Sequence, residues 1–316
     1  MKHLKISGFL VLFAAAALAA GGDAPATRVK LEEISSIGGP ESDALFLWTT
    51  VSVDPEGNAY FSDALDCSIK KFGPDGVLLK KVGRPGQGPG EFNKPTGVAV
   101  IGDRVYAWDL YGAALQVFDR DLVFQKTIAM PGTVDGLAAL PGGRVAACVR
   151  PSYLLAKVIV YTPDGAPVRE FIVADSTGRE IFGSVRMEID RSGEFYFGYL
   201  FRDLLEKRDA EGRRIWSRAA IGGGPNPVDD IKGLKIPSET CVLSLAGDGR
   251  GRIYVLGGSL AAHHGRDVFV FRPDGSPLAS FLLPEPSHTV YFDHQDRLCV
   301  SADGGTTMRR YRVTFE

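Results

Sequence analysis

The 316-residue chain is 45% apolar, enough for a sizeable core, and its 38 glycines and 19 prolines point to many tight turns. Formal net charge is −2 without a long run of like charge, which argues against nucleic acid and against a polybasic membrane surface as main partners.

At the start, Lys2 and Lys5 form a basic n-region, Ile6 to Ala20 a largely apolar h-region, and Ala17-Leu18-Ala19 a cleavage site of the A-x-A kind. This is the pattern of a secretory signal peptide over residues 1–19. The alternative is an uncleaved anchor, for which the apolar run is short. No cysteine follows it to carry a lipid, and no later run is long enough to span a bilayer. The mature chain is therefore expected to be exported, periplasmic or extracellular, with no membrane span.

"RVKLEEIS" (Arg28 to Ser35) then reads as a strand without a sequence neighbour. The next segment, "VSVDPEGNAYFSD", is a strand, a tight turn and a second strand. It recurs as "VAVIGDRVYAWD", "LAALPGGRVAACV", "MEIDRSGEFYFGY", "LSLAGDGRGRIYVLG" and "VYFDHQDRLCVSAD", six copies in all. A third alternating segment follows each copy, three of them closing on Pro-Asp-Gly, and a fourth follows in five copies. Six four-stranded units describe an all-β, six-bladed β-propeller over residues 28–316. The sixth unit lacks its fourth strand, and Arg28 to Ser35 is expected to supply it and close the ring.

Between the first two units lies "GRPGQGPGEFNKPTGVAV" (Gly83 to Val100), whose five glycines invite a phosphate-cradle reading. A cradle opens a helix, whereas this run leads into a strand and carries no Gly-Lys-Ser/Thr. It reads as a blade junction, with Phe92 packed between blades and Pro95 fixing the start of the strand. From Gly88-Pro89-Gly90-Glu91-Phe92, through Pro95 and Gly97-Val98-Ala99-Val100, to Asp109, the stretch resembles an NHL repeat. The resemblance to six-bladed NHL-type propellers is strong in motif in the first two repeats. The family's strand-end Asp matches Asp63, Asp109 and Asp303, while its following Asn-x-Arg is absent. Relatives of this fold include metal-dependent lyases and calcium-dependent lactonases, so the resemblance implies a possible divalent metal, zinc or calcium.

In such a ring, the loops between second and third strands and the blade-to-blade connectors share one face. Function is expected on this loop-rich face. Trp108, Tyr111, Arg150, Tyr153, Tyr199 and Arg202 form its candidate binding set, because aromatic and arginine side chains dominate recognition surfaces. His263, His264 and His288 are candidate metal ligands, although their spacing matches no ligand motif. Asp63, Asp109 and Asp303 are read as caps of the turns that follow them. The connector Gly222 to Pro237 is either a lid or a surface excursion. Cys67, Cys148, Cys241 and Cys299 allow two disulfides in three connectivities in an oxidising compartment, but they lie far apart and are read as buried thiols. No nucleophile elbow or zinc-hydrolase signature occurs, so catalytic residues stay unassigned. The functional expectation is an exported binding propeller for a protein, peptide or glycan. A metal-dependent lyase or hydrolase on the same face, and a structural module of a cell-envelope assembly, are the alternatives.

Overall fold

A strand that is apolar at every position must be covered on both faces. The second strands of four repeats, largely apolar, are covered in this way: Ala59–Asp63, Phe195–Tyr199, Ile253–Gly257 and Leu298–Ala302 are buried at every residue. The computed structural model describes residues 27–42, 44–110, 112–175 and 184–316, with the backbone of one short strand at 10–12. The expected signal peptide over 1–19 lies, apart from that strand, outside the described residues, as does Tyr111.

The chain opens with β1 (Leu10–Leu12) and β2 (Val29–Gly38). Blade one is β3 (Trp48–Val53), β4 (Ala59–Asp63), β5 (Ser68–Phe72) and β6 (Leu78–Val82). Blade two is β7 (Pro95–Ile101), β8 (Arg104–Asp109), β9 (Ala114–Asp119) and β10 (Phe124–Ala129). Blade three is β11 (Thr133–Leu140), β12 (Arg144–Ser152), β13 (Leu155–Tyr161) and β14 (Pro167–Asp175). Blade four is β15 (Val185–Ile189), β16 (Phe195–Tyr199), β17 (Leu205–Arg208) and β18 (Arg214–Arg218). A hairpin of β19 (Val228–Ile231) and β20 (Leu234–Pro237) precedes blade five, which is β21 (Val242–Gly247), β22 (Ile253–Gly257), β23 (Asp267–Phe271) and β24 (Pro277–Leu282). Blade six is β25 (Val290–Phe292), β26 (Leu298–Ala302), β27 (Thr307–Phe315) and, from the other end of the chain, β2. Each blade is an antiparallel meander, and together they make a six-bladed propeller.

Ring closure runs where the repeat count places it. β2 pairs antiparallel with β27 from Val29↔Phe315 to Gly38↔Thr307. β1 lies outside it, pairing Leu10↔Glu32 to Leu12↔Lys30.

The core is divided into six wedges, one between each pair of neighbouring blades. Alternate residues of a strand point to opposite faces, so each blade feeds two wedges. In β8, Val105 and Ala107 face blade one, while Tyr106 and Trp108 face blade three. In β22, Ile253 and Val255 face blade four, and Tyr254 and Leu256 face blade six. Phe92 joins Tyr60 and Ile69 of blade one to Val98 and Phe118 of blade two, as expected from its junction position. All four cysteines are free thiols, with Cys148, Cys241 and Cys299 buried and Cys67 half-buried.

The hairpin turns repeat one solution. The carbonyl of Asp54, Asp190, Asp209 or Asp248 accepts from the N–H three residues on, which belongs to Gly57, Gly193, Gly212 or Gly251. Those glycines have φ between 77° and 90°, a region that glycine adopts without steric cost. Side-chain carboxylates brace all four turns and the equivalent one in blade six, Asp54 accepting from Asn58. Asp190 accepts from Ser192 and Glu194, Asp209 from Glu211 and Arg213, Asp248 from Arg250 and Arg252, and Asp293 from Gln295 and Arg297.

Candidate functional site

The first strand of each blade ends its sheet, so one edge of its backbone faces the axis rather than a partner strand. Hydroxyls of one blade answer part of that edge in the next. Val98 N donates to Thr50 Oγ1 at 2.9 Å, Val100 N to Ser52 Oγ at 3.0 Å, and Val290 N to Ser244 Oγ at 3.1 Å. Near its upper end, four of these strands skip a residue in the pairing: Thr49, Thr96, Asp135 and Leu243. Such a bulge re-aims its extra residue.

At Asp135 the bulge places a carboxylate among arginines. Arg150 Nη2 lies 3.1 Å from Asp135 Oδ1, and the two side chains are only 18% and 8% exposed. Asp135 Oδ2 and Arg150 Nε are buried without a hydrogen-bond partner. Arg186, from β15, donates its Nε to the Leu243 carbonyl at 2.7 Å, spanning blades four and five. Burial lifts the Asp135 carboxyl above its ordinary range, and Arg150 and Arg186 oppose that lift. Arg150 also stands 5.9 Å from the ring of Tyr153, which is 66% exposed. The arrangement offers one exposed aromatic face, two guanidinium groups and one constrained carboxyl at the upper end of the ring.

Of the sequence candidates, Arg150 and Tyr153 are brought together here. Trp108 is buried, its indole lying where a Cβ on Gly97 would be 1.8 Å from Cε2, and its edge lines a cavity of about 440 Å³ beside the glycine-rich junction. Tyr199 is buried, donating its hydroxyl to Glu206 at 2.7 Å. Arg202 is half-buried on the following turn. His263 is turned toward Asp267 in its own loop, with Nδ1 3.3 Å from Oδ1, and His264 is exposed beside it. His288 packs edge-on against Trp48 at 5.2 Å. Among the described residues, no three His, Cys, Asp or Glu side chains are grouped to hold a metal ion. The Asp135 carboxylate is shared with cationic arginines, a poor setting for a divalent cation.

Two of the strand-end aspartates reach back to the connector before their blade, not only to the turn that follows. Asp63 accepts from Phe46 N and Leu47 N at 2.9 and 3.1 Å, and Asp109 accepts from Asn93 N and Lys94 N at 3.1 and 3.0 Å. Both therefore clamp the connector entering their own blade. Asp63 also reaches Asp66 N and pairs with buried Lys70 at 2.8 Å. Asp303 stays local, accepting from Thr307 Oγ1 at 2.6 Å and from Arg309. The long connector carries the β19–β20 hairpin, whose turn puts Lys232 and Gly233 at φ 55° and 78°. Asn226 fixes its base by donating to the carbonyls of Phe201 and Glu239.

A second cavity, of about 670 Å³, opens on the opposite face, among the first turns of blades four, five and six. Glu188 lines it, and burial pushes its carboxyl up to about 7. Sequence reasoning passed over Asp135, Arg186 and Glu188. The available signal was a charged residue inside a strand that the repeat order makes innermost, where no solvent-facing sheet surface exists to receive it.

No protein-family model matches the chain, and no curated protein is similar to it in sequence. Solved structures do share its architecture, and they are six-bladed propellers. A gluconolactonase from Xanthomonas campestris superposes with a TM-score of 0.59 at 14% identity, covering 98% of this chain and 99% of its own. Virginiamycin B lyase from Staphylococcus aureus gives 0.57 at 9%, with 90% and 99% covered. A calcium-binding protein, regucalcin, from Agrobacterium tumefaciens gives 0.55 at 14%, with 84% and 90% covered. At these identities the likeness is one of fold.

Proposed function

We propose that this chain is an exported binding propeller that recognises a protein, peptide or glycan partner through its loop-rich face, around Arg150, Tyr153, Arg186 and Asp135. One observation carries the reading: an exposed tyrosine has its ring 5.9 Å from an arginine whose own neighbour, Asp135, keeps an unpartnered oxygen. An exposed aromatic supported by a fixed guanidinium is the composition of a recognition hot spot. Export is part of the proposal and rests on the first 19 residues. Among the described residues no helix is long and apolar enough to cross a membrane. The NHL-type resemblance, carried by the first two repeats, belongs to the same proposal. Screening the purified protein on glycan and peptide arrays, then titrating each hit against Tyr153→Ala, tests it. A hit that Tyr153→Ala weakens supports the reading, and hits indifferent to Tyr153 overturn it.

A second reading is an enzyme at the same place, as the names of the gluconolactonase and virginiamycin B lyase suggest. The observation favouring it is Asp135, a carboxyl with a pKa raised by burial and one oxygen free of partners. Turnover of a gluconolactone or of virginiamycin B, abolished by Asp135→Asn, would establish it. The described residues offer no metal ligand set for such a reaction.

A further inference from the structure

The lower cavity is built from one turn position repeated in three consecutive blades. In each, an aspartate opens the turn: Asp190, Asp248 and Asp293. Each is consumed by its own turn and by a nearby cation. Asp190 accepts from Ser192 N and Glu194 N and lies 3.5 Å from Lys207, which also holds Glu194 at 2.6 Å. Asp248 pairs with Arg252 and accepts from the Tyr254 hydroxyl. Asp293 pairs with Arg297 at 2.7 Å and stands near Arg310. Asp296 accepts from Gly249 N. The turn-opening aspartates around the cavity are thus already engaged.

The turn tips differ. Arg191, Arg250 and His294 occupy them, line the cavity and are exposed. No ion pair or hydrogen bond engages their side chains among the described residues. Deeper in, Glu188 and Tyr291 offer a carboxyl and a phenol, with Ile189, Ile253 and Phe292 as apolar walls. Tyr291 reaches across to blade one, where its hydroxyl accepts from Val53 N at 3.3 Å, so the inner wall is fixed. A volume of about 670 Å³ suits a small ligand.

From this juxtaposition we infer a second binding site on the lower face, for a small hydroxylated oxyanion such as a sugar acid or sugar phosphate. Arg191 and Arg250 take the anionic group, with His294 as a further donor, and guanidinium groups match carboxylate and phosphate alike. Glu188 and Tyr291 take the hydroxyls. This site is separate from the upper one, and neither proposal depends on the other.

Calorimetric titration of the whole chain with glucuronate, glucose 6-phosphate, inorganic phosphate and neutral glucose tests the inference and tells a carboxylate from a phosphate ester. We expect at least one charged sugar to bind about tenfold or more tighter than glucose, and Arg191→Ala/Arg250→Ala to remove that advantage. Glu188→Gln should weaken the charged sugar while leaving inorganic phosphate unchanged. Tyr153→Ala, on the other face, should change none of these affinities. Absence of binding by every anion, or affinities unchanged in the double arginine variant, overturns the inference.

Discussion

Asp135 and Arg150 sit on adjacent strands of blade three and meet at 3.1 Å, and the bulge between Val134 and Gly136 is what turns the aspartate toward that meeting. Because both side chains are largely buried, each depends on the other. Arg150→Ala would leave Asp135 with Arg186 as its remaining cationic neighbour. We expect a loss of about 3 kcal/mol in a urea unfolding series, with Asp135→Asn/Arg150→Met losing less than Arg150→Ala alone. Equal losses would show that the pair is not coupled.

Glu188 gives a pH signature. Its carboxyl sits near 7 in the fold against an ordinary 4.5, because burial disfavours the charged form and Asp190 adds to the effect. The fold therefore favours the protonated form. That contribution is complete below about pH 4.5 and is lost as pH rises through 7. Relative to Glu188→Gln, the wild-type chain should lose up to about 3 kcal/mol of stability between those values. Denaturant midpoints of both proteins across the window check it, and parallel curves would contradict it.

Asp63 and Asp109 share a clamp but differ in what lies behind it. Asp63 holds Lys70, which is 1% exposed, whereas Asp109 holds backbone alone in the interactions described. Asp63→Ala should cost about 3 kcal/mol and Asp109→Ala about 1–2 kcal/mol, read from thermal or denaturant midpoints. A larger loss at Asp109 would reverse the assignment.

Processing of the first 19 residues would remove β1 and spare β2. If the chain is exported as proposed, mass spectrometry of the protein recovered from an expressing host should find a chain beginning near Ala20 that melts within about 2 °C of the full-length form. Truncation through Gly38 should abolish cooperative unfolding, because β2 closes the ring on β27. A cooperative transition in the truncated chain would show that closure does not hold the ring together.

The fold was legible because each repeat shows a strand, a tight turn and a second strand, three of them also a Pro-Asp-Gly turn, and because a lone strand at Arg28 to Ser35 has a partner that the count leaves open. The site was less so. Trp108 and Tyr199 look like recognition residues in sequence, yet alternation sends both into wedges between blades. Asp135 and Arg186 come together only because a bulge and a neighbouring strand aim them at one point, and a bulge leaves no mark in the local pattern of "TVDGLAAL". The lower cavity was hidden for a related reason. Its turns look ordinary singly, and only the ring brings Arg191, Arg250 and His294 around one space.

The most direct measurement is the affinity of one array-derived partner for four proteins: wild type, Tyr153→Ala, Arg186→Ala, and the lower-face Arg191→Ala/Arg250→Ala. The account predicts that both upper-face substitutions weaken binding about tenfold or more, while the lower-face variant binds as wild type does. Binding lost only in the lower-face variant, or unchanged in all three, would contradict recognition through the loop-rich face.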